Sequence, residues 1–587
     1  MAEAGLPTNR EVADRLQLIG DLLEIEGAVR HRVLAYRRAA ARVRATPTSV
    51  AAMALEGRAT DLPDIGATLQ AKIRELAETG DIAALAALRE RVPEGLAAIA
   101  RLDGIGPKRA LALWRELGVA GPEALAEAVA AGRVRDVPGF GPATEAALAA
   151  QLARRAERPE PDEGRMPLGR ALDLAEEVAA GLRAAAPGAR VAVAGSVRRG
   201  RETVGDIDVV AAADDPAALL DAAAALPATE RVLSRGEARI AVMTHAGVRV
   251  EVAAGRPAAF GNLLQHATGS AAHNVRLREL AVRRGLSVSE HGIAGPDGAV
   301  ATHAEEEGVY AALGLPLIPP ELREDQGELE LALAGDLPRL VQPSDLRGEL
   351  HAHTDWSDGT ESIPVMVEAA RARGYEYLAI SDHSRSLAMA GGLDRDRVLR
   401  QWEAIERENA RRDDIVVLRA TEVDVLADGA LDFPDDLLAG FDWVTASVHS
   451  GFSQPPERLT ARLVAAAESP FVDAIGHPTG RMMGRRDHAP VDLEAVIAAA
   501  ARAGTCLEVN AQPRRLDLDS AMARRALAGG ARLVIGADAH SGAALDLVRL
   551  GVLVARRAGA RAEDVANTRP WDELREGRAT RLAAAGA

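Results

Sequence analysis

Two carboxylates, Asp206 and Asp208, flank Ile207 in the stretch GSVRRGRETVGDIDVV (residues 195–210), behind a small-residue turn and three arginines. Alternate residues of an extended strand share a face, so the two aspartates are expected to point together while Ile207 faces a core. Paired oxygen ligands suit Mg²⁺ or Mn²⁺, and two such ions can clamp the phosphates of an incoming nucleotide. Gly195, Ser196 and Arg199 at the turn are placed to meet its outer phosphates. An isolated D-x-D is more often an exposed strand face; the turn and arginines ahead of it give this one weight.

A second concentration lies beyond residue 343. Short apolar runs end in ligand-type residues: ELHAHT, YLAISDHS, VVLRATEVD, WVTASVHS, DAIGHP, CLEVNAQP and LVIGADAH. Each run is followed by a helical stretch, a rhythm that predicts a parallel sheet, and a closed barrel would gather every C-terminal strand end at one mouth. Six of the ends carry His, Asp or Glu, and the seventh presents Asn510. A lone histidine is usually a surface or satisfied core residue. Six at equivalent positions, joined by Asp358, Glu422 and Asp538, are not explained that way. Mixed imidazole and carboxylate donors suit Zn²⁺, Mn²⁺ or Fe²⁺ rather than Ca²⁺, and bridging metals would make a hydroxide nucleophile for phosphoester hydrolysis.

The elements ahead of these sites read differently. LPDIGATLQAKI (62–73), LDGIGPKRALAL (102–113) and VPGFGPATEAAL (137–148) repeat one pattern, an apolar residue, a glycine-bearing turn and a helix. Such a turn lets N–H groups at a helix N-terminus approach an anion, at Gly66, at Gly104 and Gly106, and at Gly139 and Gly141, with Lys108 alongside. Asp64 stands where the first copy should have a glycine. A charged, proline-containing linker, AERPEPDEGRM, then leads to a helix over 168–185 and the strand ARVAVAG.

The hairpins resemble helix-hairpin-helix motifs, which grip DNA phosphates without reading sequence. With GSVRRGRETVGDID and the later HATGSAAHNVRLREL, they make the chain similar to family X DNA polymerases of the DNA polymerase beta type. The rear segment resembles the polymerase-and-histidinol-phosphatase (PHP) domain. The resemblance implies an all-α helix-hairpin-helix front section (1–82 lyase-like, 83–155 fingers-like), an α+β nucleotidyltransferase palm (166–257) and thumb (258–335), and a distorted seven-stranded α/β PHP barrel (345–587). It places Gly269 and Ser270 in the turn beneath the nucleotide sugar, with Asn274 and Arg278 towards the base or minor groove. Lys72 stands where a related lysine forms a Schiff base with abasic sugar, although a phosphate-contacting or solvated lysine is the commoner role. The nine family metal-ligand positions are filled by His351, His353, Asp358, His383, Glu422, His449, His477, Asp538 and His540, which implies three divalent ions.

One position departs from the family. Its third palm carboxylate is an aspartate; here VRVEVAAG supplies Glu251, with Val252 and Ala253 after it and no aspartate between Asp221 and Asp297. Ala267 also replaces a usual aromatic. An extra methylene displaces a metal ligand by more than the ~0.5 Å a preorganised site tolerates, so slow polymerisation is expected from intact nucleotide binding. The expected activities are gap-filling DNA synthesis and metal-dependent 3′-5′ exonuclease action in DNA repair, on gapped or nicked DNA with dNTPs. One alternative keeps the exonuclease and makes the palm a DNA-positioning platform; another is a non-catalytic DNA-end scaffold.

The 587 residues exceed what one core accommodates. Aromatics are only 3%, so the cores must be built of Ala, Leu and Val, and one cysteine excludes an internal disulfide framework. A net charge of -16 opposes nucleic-acid binding, but residues 1–155 are close to neutral and the acidic excess lies behind them. With no signal-like or membrane-length apolar run, a cytoplasmic monomer away from membranes is expected.

Overall fold

The computed structural model describes residues 6–102, 104–157 and 165–586, so most of the proposed linker lies outside the described residues. Two compact units emerge, one of Met1–Arg165, Leu174–Ala192 and Gly205–Pro257, the other of Met166–Asp173, Val193–Val204 and Ala258–Ala587. Each is described by itself.

The front of the first unit is helical, around a core of small aliphatic side chains such as Val12, Leu16, Ile19, Ile73, Leu85 and Leu113. All three repeats form a turn followed by a helix: Ala67–Thr79, Pro107–Leu117 and Pro142–Glu157. The backbone explains the glycines. Gly104 and Gly139 take φ of 79° and 87°, the left-handed region, and Asp64 holds the same place in the first copy at 67°. Aspartate is among the few side chains that visit this region, so the weakest copy by sequence keeps the common turn.

The remainder of this unit carries a five-stranded sheet in the order Arg190–Val193, Ile207–Ala212, Arg249–Gly255, Arg239–Thr244, Thr229–Arg235. Ile207–Ala212 and Arg249–Gly255 run parallel with Asp208 opposite Glu251. The strand begins one residue later than the sequence pattern suggests: Asp206 sits in the bend ahead of it, while Ile207 is fully buried.

In the second unit, helices Phe260–Thr268 and Ala271–Arg283 and a three-stranded sheet enclose a small core that includes Leu277, Val309 and Leu313. Behind them seven parallel strands succeed one another in chain order: Gly348–Ala352, Tyr377–Ile380, Val416–Asp424, Trp443–Ser447, Ala474–Ile475, Cys506–Asn510 and Leu533–Gly536. The last returns to the first, with His353 N donating to Ala539 O at 2.8 Å and Ala539 N to His351 O at 3.2 Å. The strand residues are almost all buried, as expected where helices cover a closed sheet. Along each strand the inward positions grade from apolar to polar. Tyr377, Leu418, Trp443, Cys506 and Val534 share a core closed by Trp571, while Glu422, Ser447, Glu508 and Asn510 occupy later positions of the same parity. The alternation that fills one end with a core therefore fills the other with ligands.

Candidate metal centre

Five barrel histidines surround one carboxylate. Glu422 Oε1 lies 2.9 Å from His477 Nε2 and 3.3 Å from His449 Nε2, and its Oε2 lies 2.9 Å from His383 Nδ1, 3.5 Å from His351 Nε2 and 3.7 Å from His353 Nε2. Asp538 Oδ1 is 3.2 Å from His353 Nε2. Asp358 Oδ1 is 3.5 Å from His383 and 3.4 Å from His540. Two donors at ~2.1 Å from one ion are at most ~4.2 Å apart, a spacing these pairs meet. Three groups have mutually close ligand atoms: His353, Asp358, His383 and His540; His351, His353 and Asp538; His383, Glu422 and His449. His477 belongs to none of the groups but touches Glu422.

The donors fit divalent metal on a second count. His351 Nε2, both ring nitrogens of His353, His383 Nδ1 and His477 Nδ1 are buried and make no well-directed hydrogen bond even where a carboxylate oxygen is near, a costly state that coordination would relieve. Electrostatics agree. Despite burial, which alone would raise it, Glu422 is held well below the usual carboxylate range by His449, His383 and His351. Burial depresses His383 and His449, but Glu422 and their other carboxylate partners override it and raise them to about 10 and about 9. His477, where burial wins and Arg515 adds to it, falls to about 4. His477 and Asp538 also take positive φ, 27° and 50°, an unfavourable backbone state for these residues that clusters at functional sites.

Sequence reasoning passed over the residues that aim these ligands. Glu508 Oε1 lies 2.6 Å from His351 Nδ1, and its Oε2 accepts the backbone N–H of His477 at 2.6 Å. Asp424 Oδ1 lies 2.5 Å from His449 Nδ1. Such carboxylates fix the tautomer and ring orientation of a metal-binding histidine. Their signal was parity: Glu508 precedes Asn510 by two residues and Asp424 follows Glu422 by two.

The palm carboxylates are arranged differently. Asp206 and Asp208 are half-buried, but with Glu251 they form no group of mutually close ligand atoms among the described residues. Glu251 is engaged elsewhere. Its Oε1 accepts from Arg239 at 2.8 Å, and its Oε2 accepts from Arg249 at 3.1 Å. As arranged, the three carboxylates do not make a metal cage.

The nucleotide-binding candidates lie in the second unit. Gly195 opens a helical turn ending at Arg198, and Ser196 lies within it. Arg199 donates to Glu324 at 3.0 Å and to the Thr268 carbonyl at 2.5 Å, contacts that compete with a phosphate. Gly269, at φ 67°, approaches Arg199 so closely that a Cβ would lie 3.2 Å from its guanidinium. Ser270 caps the following helix by accepting from His273 N at 3.2 Å. Asn274 bridges Gln265 and the His266 carbonyl, and exposed Arg278 lies 3.2 Å from His266 Nδ1.

At the hairpins, apart from chain neighbours, no atom of the described residues lies within 4 Å of where a side chain would grow from Gly66, Gly104, Gly106, Gly139 or Gly141, so an anion can approach the backbone. Arg109 ties the last two turns together, donating to the Gly104 carbonyl at 2.6 Å and to that of Gly139. Lys108 is exposed and Lys72 half-buried, each on the first turns of its helix.

Comparison with known proteins accounts for this order of parts. A helix-hairpin-helix domain matches residues 7–82 and a SAM-like helix-hairpin-helix tandem 96–154. The DNA polymerase beta palm matches 165–240, its thumb 263–324, and the PHP domain 349–512. A Bacillus subtilis protein described as DNA polymerase/3′-5′ exonuclease PolX is 36% identical, over 96% of this chain and 98% of its own length. The chain belongs to the PolX family. It is a family X polymerase chain with a helix-hairpin-helix front, palm and thumb, and a C-terminal PHP barrel. Other relatives match part of this PolX-family chain: a probable phosphatase of Thermoanaerobacter sp. is 27% identical over 37% of the chain and 90% of its own length. A probable phosphatase of Shewanella oneidensis is 29% identical over 33% of the chain and 75% of its own length.

Proposed function

We propose that this chain is a DNA repair enzyme that degrades DNA 3′ ends at the barrel and adds nucleotides at the palm, the latter slowly. The observation that carries the proposal is the convergence of eight barrel ligands into three groups of mutually close donor atoms. His351, His353, Asp358, His383, Glu422, His449, His477, Asp538 and His540 would hold three divalent ions, Mn²⁺, Zn²⁺ or Fe²⁺ by donor chemistry. Ions held there lower the pKa of water and neutralise charge on a phosphoryl oxygen. The protein's part is to keep the imidazoles aimed, through Glu508 and Asp424, and to exclude bulk water from buried His351, His353 and Glu422.

In the palm, Asp206 and Asp208 would bind the Mg²⁺ or Mn²⁺ that accompanies a dNTP, and Glu251 would be the weak third ligand. Pairing of Glu251 with two arginines favours the second reading as well, in which the palm mainly positions gapped or nicked DNA. The hairpin glycines and Lys108 would hold DNA phosphates, and Lys72 is the candidate for abasic-sugar chemistry. Cytoplasmic location and a monomeric state complete the reading; no helix among the described residues is long and apolar enough to cross a membrane.

The test is a gapped, 5′-phosphorylated duplex in Mn²⁺, with and without dNTPs. Asp208→Ala should abolish extension and spare degradation, and His353→Ala should do the reverse. Degradation that survives His353→Ala would overturn the assignment to the barrel.

A further inference from the structure

The loops that follow the fifth and sixth barrel strands carry an arginine-rich rim whose chemistry the ligand set does not use. Arg481, Arg485 and Arg486 lie on one loop, Arg514 and Arg515 on the other. The loops are joined: Met483 N donates to Arg514 O at 2.7 Å, and Arg481 Nε donates to Arg515 O at 2.7 Å. Both leave the C-terminal ends of their strands, so they stand at the mouth that holds the ligands.

Two carboxylates of this region, Asp517 and Asp519, turn inward, while Asp487, on the loop of Arg485, is exposed. Asp517 is fully buried and accepts from Thr479 Oγ1 at 2.8 Å, and Asp519 faces His488 at 3.3 Å and Arg481 at 3.8 Å. Arg485 and Arg514 are exposed, and among the described residues neither side chain makes a hydrogen bond or ion pair. Arg515 is half-buried, its Nε 3.8 Å from Asp538 Oδ2, the oxygen other than the one the histidines face. Beside them Arg486 lies 3.8 Å over the ring of Phe452 from the fourth strand's loop. That ring packs where a Cβ on Gly480 would come within 2.4 Å of it, so Gly480, at φ 61°, makes room for the stack. A guanidinium on an aromatic face is a flat cationic platform of the kind on which bases stack.

We infer that Arg485, Arg514 and Arg515 form a phosphate track that leads a single DNA strand to the metal centre, with Arg515 at the phosphodiester to be cut. A small phosphomonoester held beside Asp538 would engage Arg515 and leave Arg485 and Arg514 without a partner. A strand supplies successive phosphates to all three. In a chain of net charge -16, exposed Arg485 and Arg514, which form no ion pair among the described residues, also supply the local positive potential that a polyanion requires. This inference rests on the exonuclease reading of the barrel and adds how its substrate is held.

Two measurements on the full chain separate the inference from that reading. The first needs no catalysis: in EDTA, phenylglyoxal modifies exposed arginines, and peptide mass spectrometry reads each site with and without a single-stranded oligonucleotide. Arg485 and Arg514 should be modified in the free protein and protected by the strand, while exposed Arg411 on the helix side should react equally in both. The second is the salt dependence of 3′-end degradation. Each lost phosphate contact should flatten the slope of log(kcat/KM) against log[salt] by about 0.7, so Arg485→Ala/Arg514→Ala should flatten it by about 1.4 and Arg411→Ala not at all. Equal modification with and without the strand, or an unchanged slope in the double variant, overturns the track and leaves the exonuclease reading standing. Protection without any degradation by the wild type would sink the exonuclease reading and leave the strand-binding track in place.

Discussion

The barrel and the palm each offer carboxylates to metal, and the two differ in what else holds those carboxylates. In the barrel, the ion partners of Glu422 among the described residues are histidines that share its job, and the orienting carboxylates Glu508 and Asp424 sit one step behind them. In the palm, Glu251 is held by Arg239 and Arg249, whose charge a metal would have to replace. A site is defined by its competitors as much as by its ligands. The same carboxylate that anchors a cluster among imidazoles becomes half of an ion pair among guanidiniums.

The largest effect should come from the hub. Glu422→Gln removes the carboxylate that five histidines face, and 3′-end degradation should fall by more than about a hundredfold, beyond the ~10–100-fold typical of a residue that only orients a ligand. Primer extension should persist, and its loss in parallel would break the contrast between the sites. Next in size, Glu508→Gln should cost about 10–100-fold in metal affinity, read by titration and partly rescued by excess Mn²⁺. An unchanged affinity would leave Glu508 a packing residue.

A palm prediction runs in the opposite direction. Glu251→Asp combined with Arg239→Ala shortens the ligand and removes one of its two arginine partners, and single-turnover dNTP incorporation should rise about tenfold, equivalent to roughly 1.4 kcal/mol of barrier. A rate equal to wild type would mean that neither the methylene nor the ion pair limits the palm.

Protons sharpen the comparison further. In metal-free protein His383 and His449 titrate at about 10 and about 9, above the ordinary 6.5. Their pairing with Glu422 therefore contributes stability that is complete below pH 6.5 and lost as pH rises through 9 and 10. His477, depressed to about 4, acts oppositely, with its contribution lost as pH falls from 6.5 towards 4. Metal binds the deprotonated ligands, so the melting temperature in Mn²⁺ should pull away from that in EDTA as pH rises. Parallel curves would exclude these histidines as ligands. The smallest effect belongs to the front section, where Asp64→Gly should stabilise the first hairpin by about 0.5–1 kcal/mol in denaturant titration, the ~1–2 kcal/mol steric cost of a side chain at 67° φ less the ~0.5–1 kcal/mol entropic cost of glycine. Destabilisation would show that the Asp64 contact with Arg42, at 3.7 Å, outweighs backbone strain.

The barrel was legible in sequence because its logic is local. A buried apolar run must stop, and the residue types at its end stand out, so His351, His449 and Asp538 could be read one strand at a time. Glu508 was legible only as an inward position, by its parity with Asn510; its role in aiming His351 shows once the fold brings the two strands together. The palm shows the same limit. Arg249 shares a face with Glu251 by parity, two residues apart on one strand, but Arg239 reaches it only through the antiparallel register that sets Ala241 opposite Glu251, and sequence does not specify that register. The hairpins were legible through their glycines, and Asp64 was the exception only until its backbone was seen.

The central claim is most directly tested by counting metal. After equilibration with Mn²⁺ and desalting, elemental analysis should find three ions per chain, one for each group of barrel ligands, the same in Asp208→Ala, and fewer in Glu422→Gln. One ion or none in the wild type, or a loss in Asp208→Ala with none in Glu422→Gln, would contradict the account.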